Sequence, residues 1–218
     1  MDTILSQALE GFLGLLRQLM TNLLGPNGSE WGEELKKFLR KEPCWVTELK
    51  KLIPGIVGCL KLISLGEKVT IPATTGKRTI AKATKIFTGY IDADFVNYGC
   101  DVQGASAPET QTDVYELVED GDFRKIFGSF GINLDLLCFT QNQIIAWVET
   151  NHKRLCTEGY GTFFLFKENG EFFVASVGFG DTGALKVHVL RLSSDRVWFA
   201  GGRPRIVLPQ LTPFVPST

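Results

Sequence analysis

Histidine is nearly absent from this 218-residue chain: there are two, His152 and His188. That leaves little room for a histidine-rich metal site, which draws several imidazoles into one shell. Five cysteines, Cys44, Cys59, Cys100, Cys138 and Cys156, stand far apart with no C-x-x-C pair and no Cys/His ligand spacing. Their odd number leaves one thiol over in any full disulfide scheme. Cysteine this sparse, without the basic N-terminal residues of a secretory leader, predicts reduced thiols in a cytoplasmic protein. Charge of one sign is not in excess either. The formal net charge is -1, which argues against a wholesale polyanion binder. Long apolar runs are missing as well: the leucine-rich stretch 4–24 is interrupted by Glu10 and Arg17 and carries Ser6, Gln7, Gln18 and Thr21. It reads as an amphipathic helix and not as a transmembrane segment. There is no internal repeat and no low-complexity block.

What is present is ordinary globular composition, 44% hydrophobic and 22% charged. The clearest local signal is Thr162 to Ser176, two aromatic-rich runs joined by Asn169-Gly170, a two-residue hairpin turn. Phe164 and Phe166 point to one face of the first run and Phe163 and Leu165 to the other, so the sheet is expected to be covered on both sides. Ahead of it, Thr140-Gln141-Asn142-Gln143 has the form of a capping box opening a helix with Ile144, Ile145, Val148 and Leu155 inward. A third strand is expected over Leu185 to Leu192. Short β-branched runs predict strands within 68–98, including Thr84 to Ile91. An acidic helix is expected from Thr112 to Phe127.

The N-terminal third reads as helical. Apolar residues at Ile4, Ala8, Phe12, Leu15, Leu19 and Leu23, with a parallel row at Leu5, Leu9, Leu13, Leu16, Met20 and Leu24, keep helical spacing. Gly25 to Gly28 ends that helix. A second follows, with Glu30, Glu33 and Glu34 in its first turn and Lys36, Lys37, Arg40 and Lys41 in its last, as the helix dipole favours. A third stretch from Thr47 to about Ile63 is broken at Pro54-Gly55.

Charge is unevenly distributed along the chain. Residues 30–86 carry a formal +6 and residues 87–135 a formal -8. Two segments that face each other, or that are simply solvated, explain this. A basic docking surface is the sharper reading.

Few residues carry recognisable chemistry. His152 and Cys156 are one helical turn apart, the spacing of a thiolate–imidazolium pair. The negative end of a helix dipole at that place raises a thiol pKa, which discourages the pair. Glu116, Glu119, Asp120 and Asp122 lack the ligand order of an EF-hand, and a solvated face is the commoner meaning of such a cluster. Gly178 to Gly183 lies between strands, not between strand and helix, so it forms no phosphate-binding loop. In Asp195 to Arg205, arginines mix with Trp198 and Phe199; a segment capping the sheet's open face is preferred there over a base-stacking platform.

The block from Glu30 to Trp45, EWGEELKKFLRKEPCW, follows a leucine-rich helix and precedes a β-rich half that ends in an aromatic-Ala-Gly-Gly-Arg segment. In this it resembles small hypothetical proteins predicted from candidate-phyla bacterial genomes. The resemblance covers the N-terminal third and, loosely, the last quarter. It implies a cytoplasmic bacterial protein. That group has no established activity, so no functional residue carries over.

The resulting expectation is an α+β chain: a helical unit over 1–63, a mixed domain over 64–208 with its Phe-rich hairpin sheet covered by a helix, and a proline-rich tail over 209–218. The functional expectation is a non-enzymatic binding or interaction protein whose stripe Leu9, Leu13, Leu16 and Met20 contacts a protein partner or a second copy. One alternative is a small cysteine-dependent hydrolase using Cys156 or Cys138 with His152. The other is weak nucleic-acid binding through Lys36, Lys37, Arg40, Lys41, Lys50 and Lys51. Neither a metal nor a cofactor is called for.

Overall fold

The computed structural model describes residues 19–21, 23–25, 28–40, 56–157 and 161–210. The chain divides into two units between Pro54 and Gly55. In the first unit, helix α1 spans Gly28–Leu39 with Lys36 and Lys37 in its last turn. Lys36 Nζ donates to Glu33 Oε1 at 2.6 Å, one turn back along the exposed face. Leu9, Leu13, Leu16, Lys41, Lys50 and Lys51 lie outside the described residues. So does the expected third helix as far as residue 55. Beyond it the chain is extended: Ile56–Val57 (β1) and Leu60–Leu62 (β2) pair antiparallel around Gly58, whose φ of 59° suits glycine.

The second unit is built on one nine-stranded mixed sheet. Its other strands are β3 (Val69–Ile71), β4 (Tyr90–Ile91), β5 (Thr110–Leu117), β6 (Thr162–Glu168), β7 (Glu171–Phe179), β8 (Leu185–Arg191) and β9 (Arg205–Pro209). The order is β1-β2-β5-β9-β6-β7-β8-β4, with β3 beside β5 as well. Strand β9 lies between β5, antiparallel, and β6, parallel. Strand β4 runs parallel to β8 at the edge.

The hairpin forms where its turn residues place it. Glu168 faces Glu171 across Asn169 and Gly170, whose φ values of 49° and 82° are those a type I′ turn requires. Phe164 and Phe166 join a core with Phe173, Val177, Val187 and Val207, while Phe163 and Leu165 join a second core with Val174, Ile206 and Leu208. The sheet is therefore covered on both faces. Each fully buried Phe or Leu contributes about 1.5–3 kcal/mol relative to exposure.

Over the first face lies helix α4, Gln141–Asn151, opened by the capping box. Gln143 N–H donates to Thr140 Oγ1 at 3.2 Å, and Thr140 N–H donates to Gln143 Oε1 at 2.9 Å. Trp147 meets Phe164 edge-on at 5.1 Å between ring centroids. The buried amides of this helix stitch it to the segment before β4: Ile80 N–H donates to Gln141 Oε1 at 3.0 Å and Arg78 N–H to Asn142 Oδ1 at 3.3 Å. Over the second face lie helix α3 (Phe123–Gly128), the 3-10 turn Leu134–Leu137 and Trp198. Trp198 packs on Phe163 at 4.6 Å, as the capping reading of its segment requires, while Phe199 stays exposed.

Several local expectations are corrected. Thr112 to Leu117 is strand β5, not helix; Thr112 and Val114 turn to one core and Tyr115 and Leu117 to the other. Within Thr84 to Ile91 only Tyr90–Ile91 is strand. Pro209 does not begin a tail but ends β9, where a proline without N–H is tolerated. Helix α4 stops at Asn151 and gives way to a 3-10 turn, His152–Arg154. Residues 211–218 lie outside the described set.

Candidate functional site

The short strand β4 pairs only Tyr90 and Ile91 with Lys186 and Val187, so β8 extends beyond its edge neighbour. Asp92 follows directly and takes over the edge. Its Oδ1 accepts from Asp94 N–H at 3.1 Å, opening the one-turn helix α2 (Asp94–Asn97), and its Oδ2 accepts from Val189 N–H at 3.5 Å. The same Oδ2 lies 3.4 Å from Nδ1 of His188, which is half exposed and rests 5.0 Å from the Tyr90 ring. A cleft of about 700 Å3 opens there, lined by Asp92, His188, Arg191, Ser193, Asp195 and Arg196 among others. Arg196 is stacked over Trp198 at 4.4 Å.

Arg191, the last residue of β8, lies over the Tyr98 ring at 4.7 Å and forms an ion pair with Glu171 of the neighbouring strand β7. It also lines a second cleft, of about 530 Å3, together with Phe127, Ile132, Leu134, Phe172 and Leu192 and the polar residues Arg124, Glu171 and Ser193. The two clefts share Arg191 and Ser193. One is polar and mixed in charge; the other is apolar with two guanidinium groups. Among the described residues the Arg124 side chain makes one hydrogen bond, Nη2 to the Ser193 carbonyl at 3.0 Å.

The residues singled out by sequence are placed elsewhere. Cys156 is buried, its N–H donating to Thr162 Oγ1 at 2.9 Å and its sulfur 3.3 Å from the Arg203 carbonyl oxygen. His152 is exposed at the start of the 3-10 turn. Cys138 donates from Sγ to the Leu134 carbonyl at 3.3 Å. Burial, helped by Asp135 and opposed by Lys167, pushes its thiol up to about 12. Cys100 is pushed to about 12 as well, again chiefly by burial. Thiols held protonated in this way make poor nucleophiles.

The acidic residues 116–122 each have a structural task. Glu116 Oε2 accepts from Arg203 Nε at 3.1 Å and lies 3.0 Å from its Nη2 in an ion pair; Glu119 pairs with Lys125 at 2.5 Å. Asp120 accepts from Ala200 N–H at 2.7 Å, and Asp122 caps α3 by accepting from Lys125 N–H at 2.8 Å. Among the described residues no three side chains of His, Cys, Asp or Glu form a group that could hold a metal. No described helix is long and apolar enough to cross a membrane. Met20 is 55% exposed and Leu24 82%.

Arg124, Glu171, Arg191 and Ser193 were not marked by sequence. The one signal pointing to them is Ile132 and Leu134, two large apolar residues in a loop flanked by glycine and asparagine, where turn chemistry alone asks for neither. Comparison of the chain with protein-family models, with curated proteins and with solved structures gives no match, so no relative's activity bears on these clefts.

Proposed function

We propose that this chain is a non-enzymatic binding protein whose ligand site is the pair of clefts meeting at Arg191 and Ser193. The observation that carries this reading is the apolar cleft itself, about 530 Å3, lined by five large apolar side chains together with Arg124, Arg191 and Glu171. Its volume is in the range that small ligands fill, and a few convergent polar groups at an apolar cleft are what orient them. The burial of Cys156 away from the exposed His152, and the raised pKa of Cys138, support a binding role over thiol chemistry.

The stripe Leu9, Leu13, Leu16 and Met20 is a second contact surface in this proposal, for a protein partner or another copy. The exposure of Met20 and Leu24 supports it. A cytoplasmic setting belongs to the same reading, supported by the free thiols of Cys59, Cys100, Cys138 and Cys156. A fragment screen by amide chemical shifts on the full chain tests the clefts. Hits are expected to converge on Phe172, Arg191, Leu192 and Ser193; hits scattered over the surface overturn the reading.

A further inference from the structure

We propose that the apolar cleft takes the anion of a small, free amphipathic carboxylic acid, with the apolar body against Ile132, Leu134, Phe172 and Leu192 and the carboxylate on the Arg124 guanidinium. This rests on the reading of the clefts as binding sites and adds the class of ligand.

The two arginines that line the cleft are not equivalent. Arg191 is already answered by Glu171 and held against the Tyr98 and Phe173 rings at 4.7 and 5.5 Å. Arg124 has no carboxylate within ion-pair distance among the described residues and donates one hydrogen bond, to the Ser193 carbonyl at 3.0 Å. A guanidinium carries five N–H donors in a planar fork that matches a carboxylate. Arg124 lines the cleft, and most of that fork has no partner among the described residues. One apolar volume with one unanswered cation is complementary to a ligand with one apolar body and one negative charge.

Ile132 is 37% exposed, so the cleft presents apolar surface to water until something covers it. A neutral apolar guest covers that surface and leaves Arg124 as it was. An anion covers it and also gains charge-assisted hydrogen bonds, which are the stronger kind.

The experiment uses the full chain with octanoate, octan-1-ol and acetate as probes, followed by amide chemical shifts. Octanoate is expected to bind about tenfold tighter than octan-1-ol, the scale of a hydrogen-bonded ion pair at a partly exposed site. Arg124→Gln is expected to remove that tenfold and to leave octan-1-ol unchanged. Ile132→Asp, at an exposed loop position, is expected to weaken both while the folded spectrum persists. Equal binding of octanoate and octan-1-ol overturns the anion proposal and leaves the cleft a binding site. Absence of shifts at Phe172 and Leu192 with either probe removes the proposal and the cleft reading together. Dilution-dependent shifts at Ile132 and Leu134 without any probe identify a second copy as the occupant and overturn the proposal.

Discussion

Trp147 Nε1 donates to Thr112 Oγ1 at 3.1 Å, and the same hydroxyl donates to the Val69 carbonyl at 3.1 Å. Helix α4, strand β5 and strand β3 are thereby tied through one buried oxygen; Trp147 and Thr112 are 0% and 2% exposed. Thr112→Val keeps the volume and leaves a buried indole N–H and a carbonyl lone pair without this partner. The expected loss is about 2–6 kcal/mol, since each of the two orphaned groups costs about 1–3. Thr112→Ser keeps the hydroxyl and gives up one methyl, about 0.8 kcal/mol. Urea unfolding of both variants checks the order, and equal losses would show that the hydroxyl contributes nothing.

The capping box of α4 gives a smaller, local prediction. Thr140→Ala removes the acceptor of the Gln143 N–H and is expected to destabilise by about 1 kcal/mol, with an unchanged denaturant slope. Thr140→Ser retains the oxygen and is expected to be nearly silent.

The thiols predict an alkaline weakness. Cys100 and Cys138 are raised from an ordinary value of 9.0 to about 12. Above pH 9 the unfolded chain loses these protons while the folded chain keeps them, so the unfolded state binds fewer protons and stability falls as pH rises toward 12. The contribution is fully present below pH 9. Tyr115, raised from 10.0 to about 12 by burial, adds to the fall above pH 10. Cys138→Ser and Cys100→Ala are expected to flatten the decline of the unfolding midpoint over that window. Alkylation at pH 8 supplies an independent readout: Cys138 in the folded protein is expected to label at least about a hundredfold more slowly than in the unfolded chain.

The parts of the fold legible in sequence are those fixed by neighbours. Asn169-Gly170 sets its own hairpin register, and Thr140 with Gln143 sets its own helix start. Strand β5 reads as a helix in sequence because Val114 and Leu117, three apart, satisfy helical spacing as well as strand pairing, and Asp113 and Glu116 look like a wet helix face. Strand β9 was hidden for a different reason. Ile206 to Leu208 is a short continuous apolar run before a proline, and only its distant partners β5 and β6 make it a central strand. The candidate site was less legible still. Arg124, Glu171 and Arg191 come from three elements, and nothing in their local sequence shows that the sheet leaves one arginine answered and the other not.

Two glycines of the sheet predict unequal costs. Gly170 sits at φ 82° in the hairpin turn with nothing within 4 Å of an added Cβ, so Gly170→Ala meets only the left-handed backbone cost, about 1–2 kcal/mol. Gly161 has φ 108°, and an added Cβ there would lie 2.6 Å from the Val177 carbonyl oxygen. Its own carbonyl accepts from Arg205 N–H at 3.1 Å, where β9 begins alongside β6. Any shift that relieves the contact therefore disturbs the parallel pairing of β6 with β9 as well as the antiparallel pairing with β7. Gly161→Ala is expected to lose about 3 kcal/mol or more, above the loss at Gly170. Amide exchange separates the cases: Gly161→Ala should lower protection at Phe163 and Val207, both central in the sheet, while Gly170→Ala leaves them protected. Comparable losses for the two variants would mean that β6 tolerates displacement at its start and that the β6–β9 pairing is not set by the close approach at Gly161.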